Sequence, residues 1–120
     1  MLKIITVGIF LLAASSTFAE AQVAPAISIN FDYRPEDYTR VRVLWSRLNT
    51  ALKRSGAGEL DEPELHADGN DGYFDIRGQN SERLYRIVEP ILKSSPLMQG
   101  AEVTKRSASG QHVFSIYQER

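Results

Sequence analysis

The order in which the hydrophobic period changes constrains this chain more than any other feature. Residues 26–34, "AISINFDYR", alternate: Ile27, Ile29, Phe31 and Tyr33 point one way, Ser28, Asn30 and Asp32 the other. A period of two is that of a strand with one face buried. The period then turns helical, with Val41, Leu44, Trp45, Leu48 and Leu52 recurring every three or four residues. Pro35 followed by Glu36 and Asp37 marks the helix start, because an N-terminus needs no proline N–H and favours acids. Lys53 and Arg54 fit its last turn, and Gly56 its end. "ELDEPELHA", residues 59–67, predicts a weaker strand. Its Pro63 is tolerated at an edge or a bulge but not centrally. "YFDIR", residues 73–77, alternates again around Phe74 and Ile76. Leu84, Ile87, Val88, Ile91 and Leu92 make a second helical stripe, with Asn80 or Ser81 as cap. Pro90 lies inside that helix and predicts a kink. "GAEVTKR" and "HVFSIYQ" predict two last strands joined through residues 107–110.

Strand, helix, strand, strand, helix, strand and one strand more predict an α+β domain. The expected plan is ferredoxin-like βαββαβ plus an extra C-terminal hairpin strand, an antiparallel sheet with two helices on one face. Strand order 4-1-3-2 then places the Pro63 strand at an edge. Residues 71–106 strengthen this expectation. A glycine-bounded strand leads to a helix ending V-x-P-x-L, here Val88, Pro90 and Leu92. A strand opening G-A-x-V follows, here Gly100, Ala101 and Val103. This run, about a third of the chain, resembles small bacterial ferredoxin-like proteins of uncharacterised function. The resemblance implies a fold and no chemistry.

The N-terminal residues have another purpose. Lys3 precedes an apolar run at residues 4–14, followed by small residues around Ala19 and Ala21. This is the pattern of a secretory signal, too short to span a bilayer comfortably. The expected organisation is a signal peptide over 1–21, a short tether over 22–26 and a single α+β domain over 27–120. The product is expected to be exported, to the bacterial periplasm, with no membrane attachment after cleavage. The chain has no cysteine, which excludes disulfides, thiol nucleophiles and Cys-ligated metals, so the core alone must hold the fold. Net charge is -1, without the basic surplus that nucleic-acid binding uses to displace counterions, so no nucleic-acid partner is expected.

Motifs of chemistry are few. "DGNDG", residues 68–72, fails as an EF-hand loop. Gly72, Tyr73 and Gln79 stand where an acid or amide, a glycine and a glutamate are needed. The nucleophile elbow G-x-S-x-G and the phosphate loop G-x-x-x-x-G-K are absent from the sequence. His66 and His112, the only histidines, lack close ligand spacing. No catalytic residue, cofactor or metal is expected.

The glycines bound a hairpin instead. A four-residue loop over 69–72 would pair His66 with Asp75, Leu65 with Ile76 and Glu64 with Arg77, keeping apolar residues together and opposite charges opposed. Asn30, Asp32, Glu64, His66, Tyr73, Asp75 and Arg77 then share the face turned from the helices, the candidate binding face. Two readings follow. One is a small exported binding protein without evident catalytic chemistry, immunity-like or inhibitor-like, with a protein partner. The other is a small-ligand-binding or hydrolytic domain with a site near His66, Asp75 and Arg77.

Overall fold

The computed structural model describes residues 24–117. The expected signal peptide lies outside them. The described chain is α+β, with two helices and a six-stranded antiparallel sheet. The strands are β1 (Ile27–Asp32), β2 (Gly58–Leu60), β3 (Glu64–His66), β4 (Asp71–Gly78), β5 (Glu102–Ser107) and β6 (Gly110–Ser115). The helices are α1 (Tyr38–Ser55) and α2 (Ser81–Lys93). The sheet runs β2-β4-β1-β5-β6, with β3 also pairing β4 beyond β2.

The local sequence explains the helix ends. Pro35–Asp37 form a 3-10 turn rather than the first α turn, and the Asp37 carboxylate accepts from the Arg34 N–H at 3.0 Å. Gly56 closes α1 at φ 66°, a left-handed position that a side chain would strain. Asn80 caps α2 by accepting from the Arg83 N–H at 3.0 Å. Pro90 is accommodated near the end of α2, which continues to Lys93.

The inward residues of the strands and the helix stripes make one core. Ile27, Ile29, Phe31, Phe74, Ile76 and Val103 meet Val41, Leu44, Leu48, Leu52, Leu84, Val88 and Leu92. Each large side chain buried there contributes about 1.5–3 kcal/mol. Tyr85 joins this core although the expected stripe omitted it, and Ile87 and Ile91 pack at its margin.

The second strand differs from expectation. Residues 59–67 form two short strands, broken at residues 61–63. Leu60 lies opposite Ile76, while Glu64 lies opposite Tyr73. Four steps on one strand therefore match three on the other, which is a bulge, and Pro63 sits in it. The bulge has a packing reason. Leu60 and Leu65 are an odd number of residues apart, so an unbroken strand would turn one of them outward. With the extra residue both face the core.

The hairpin register is also corrected. The loop has four residues, but they are 67–70, and Asp71 already belongs to β4. His66 faces Asp71, Leu65 faces Gly72 and Glu64 faces Tyr73. The expected pairs His66–Asp75, Leu65–Ile76 and Glu64–Arg77 do not form. Gly72 supplies the cause: a Cβ there would lie 2.8 Å from Leu65 Cδ2 and 3.2 Å from Phe31 Cζ. Leu65 uses the space that the missing side chain leaves, and Ile76 is already matched by Leu60. Asn70 takes the left-handed turn position at φ 54°, which Asn tolerates better than most residues.

Candidate functional site

The register error shifts partners by an even number of residues, so it leaves the faces unchanged. All seven candidate residues lie on the sheet face turned from the helices. Across the strands, Asn30 faces Tyr73 and Asp32 faces Asp71. Asp75 faces Ser28, and Arg77 faces Glu59.

They form two groups rather than one. At the loop end, Asp71 is the centre. Its carboxylate accepts from Asn30 Nδ2 at 3.0 Å and lies 3.3 Å from His66 Nδ1. Glu64 reaches His66 Nε2 at 3.7 Å, and the Tyr73 ring stands edge-on to the imidazole at 5.8 Å. Asn30 Nδ2 also donates to Gly72 O at 3.2 Å. The Asn30 amide, with His66 adding, holds the Asp71 carboxyl below the usual carboxylate range. At the other end Arg77 Nε donates to Asp61 at 2.9 Å. His66 and Asp75 are separated along β4 by about 13 Å, four residues of strand rise. The structure thus does not bring His66, Asp75 and Arg77 together.

Two residues of these groups escaped the sequence reading. Asp71 falls within the expected loop over 69–72, yet it alternates in phase with Tyr73, Asp75 and Arg77 and lies on their face. Asp61 also alternates in phase with Glu59 and out of phase with Leu60; its N–H donates to Asp75 O at 3.0 Å and its carboxylate accepts from Arg77 Nε at 2.9 Å.

The chemistry of this arrangement is limited. A carboxylate orients His66, but Ser28 on this face is buried and accepts instead from Arg106 Nη1 at 3.0 Å, and Ser115 lies on β6, beyond β1 and β5 from His66. Among the described residues, no group of three or more His, Asp, Glu or Cys side chains is disposed to hold a metal. A hollow of about 860 Å³ lies against β2 and is lined by Trp45, Lys53, Glu59, Asn80 and Arg83. None of the seven candidates lines it. Hollows of about 570 and 210 Å³ touch only Asn30 and Asp32 of the set.

Charge is unevenly spread on the face. Asp32, Glu64, Asp71, Asp75 and Glu102 supply carboxylates. Of the cations, Arg77 pairs with Asp61, and Arg106 Nη1 donates to Pro25 O and Ser28 Oγ, both at 3.0 Å. Among the described residues, no helix is long and apolar enough to cross a membrane. Comparison with known proteins finds no match, whether with family models, curated proteins or solved structures.

Proposed function

We propose that this chain is a small exported binding protein, immunity-like or inhibitor-like, that docks a basic protein surface on its uncovered sheet face. The observation that carries this reading is the excess of carboxylates over cations on the sheet face turned from the helices. Electrostatic complementarity of that kind speeds encounter and selects the partner more than it deepens affinity. Export to the bacterial periplasm rests on the signal pattern of residues 1–21. The ferredoxin-like plan is supported by the strand order: β5, β1, β4 and the broken β2/β3 strand lie side by side as fourth, first, third and second.

The test uses the purified chain as bait against periplasmic extract and the products of neighbouring genes. The captured protein should dissociate more readily as salt rises. Asp32→Lys combined with Asp75→Lys should weaken it by at least about tenfold, roughly 1.4 kcal/mol. Glu89→Lys, on α2, should leave it bound. No specific partner, or one indifferent to the double reversal, sinks the reading.

A further inference from the structure

Among the described residues the sheet ends at β6, which pairs β5 on one side and no strand on the other. The hydrogen bonds show which of its backbone groups are open. Arg106 N–H donates to Ala26 O in the direction of β1, and Ile116 N–H donates to Ala101 O. Successive residues of an antiparallel strand alternate in direction. Gly110, His112 and Phe114 therefore turn their N–H and C=O groups to β5. Gln111, Val113 and Ser115 turn theirs outward. Natural edges avoid pairing through prolines, bulges and charged side chains. The β6 sequence, "GQHVFS", has no proline and no fixed charge, and its pairing with β5 is unbroken over six residues. Val113 is 47% exposed.

We propose that β6 pairs antiparallel with β6 of a second copy of this chain, about a two-fold axis at Val113. In that register Val113 meets its twin and Gln111 meets Ser115 of the second copy. All three outward residues then exchange N–H···O bonds with partners that also point outward. Two-fold pairing sets a strand against itself, so any fixed charge on it would meet a like charge nearby. β6 carries none, which suits a second copy. His112 lies opposite Phe114 of the second copy on the helix side. The other edge cannot substitute, because β2 has three residues and ends in the Pro63 bulge. The contact is therefore isologous and closes as a dimer instead of propagating. It is separate from the proposed partner face.

Sedimentation of the purified chain from micromolar to millimolar concentration tests this. The expected species is a dimer. Val113→Lys sets two lysines across the axis and should weaken the dimer at least about tenfold, 1.4 kcal/mol. Val113→Pro removes an outward N–H and none from the β5 ladder, and should act likewise with an unchanged circular dichroism spectrum. Should the proline variant misfold, the lysine variant decides. Glu59→Lys, at the opposite edge, should leave the dimer intact. A monomer at all concentrations, a dimer that survives Val113→Lys, or one dissociated by Glu59→Lys overturns the proposal.

Discussion

The two edges of this sheet are finished in opposite ways. The β2/β3 edge is short, bent and tied down by side chains. Trp45 Nε1 donates to Asp61 O at 2.8 Å, Arg77 holds the Asp61 carboxylate, and Arg42 lies over the Trp45 ring at 5.3 Å. The β6 edge is regular, and its ring contacts lie on the helix side, where Phe114 stands edge-on to Tyr85 at 5.2 Å. One edge spends its polar groups internally. The other keeps three residues' worth of hydrogen-bonding capacity facing out. A strand edge is thus closed by what reaches it from neighbouring elements as well as by its own sequence.

Substitutions on the two sides should separate them. The largest effect is expected from Leu84→Ala, because Leu84 is fully buried beneath Gly58 and Gly78. The cost should be about 2–5 kcal/mol in urea unfolding. Phe114→Ala, on the half-buried β6 side, should cost visibly less, and equality would erase the contrast. Gly58→Ala comes next. A Cβ there would lie 2.3 Å from Arg77 O and 2.7 Å from Leu84 Cδ2, so a loss of about 1–3 kcal/mol is expected. Gln111→Ala on β6 should stay within about 0.5 kcal/mol.

Alkaline titration probes the β6 side from beneath. Burial, with Glu89 adding, pushes the Tyr85 phenol up to about 12. The folded state resists ionisation that the unfolded state accepts near pH 10, so stability falls as pH rises between the two values. The loss should reach on the order of 2 kcal/mol. Tyr85→Phe should flatten that fall. A Tyr85 that ionises with the other tyrosines, by absorbance, contradicts its burial.

Trp45→Phe keeps the ring and removes the bond to Asp61 O, at an expected cost of about 1 kcal/mol. Exchange of the Asp61 amide, bonded to Asp75 O at 3.0 Å, should quicken, while β6 amides stay unchanged. The smallest effects are acid titrations, one on each side of the sheet. Asp71 is held low by Asn30, and Glu82 by the Lys105 ammonium at 2.6 Å. Both folded pKa values are depressed, so each contribution is present above the unfolded value and lost as pH falls through the folded one. Carbon-detected NMR should show Asn30→Ala raising Asp71 alone and Lys105→Met raising Glu82 alone. Cross-talk would mean that the two sides are not independent.

Period and punctuation made most elements legible. β1, both helices, their caps at Asn80 and Gly56, and the final hairpin follow from residues that act within a few positions of themselves. The outward face was legible for the same reason, since alternation survives any even shift of register. The hairpin partners were not. Charge pairing favoured His66 opposite Asp75, at roughly 0.2–1 kcal/mol per pair. Burial of Leu60 and Leu65 over Ile76 and Gly72 outweighs that, at about 1.5–3 kcal/mol per large side chain.

Local sequence is enough to place β1, both helices and the final hairpin, to say which of their residues turn inward, and to require that a domain without cysteine rest on its core. These are properties of local period, dihedral preference and composition. Tertiary structure alone decided that Pro63 marks a bulge, that Asp71 gathers Asn30 and His66, and that Asp61 serves Trp45 and Arg77. Each depends on strands far apart in sequence competing for the same space beside Leu84, Phe31 and Ile76. Packing settles such a competition only once the whole sheet is assembled.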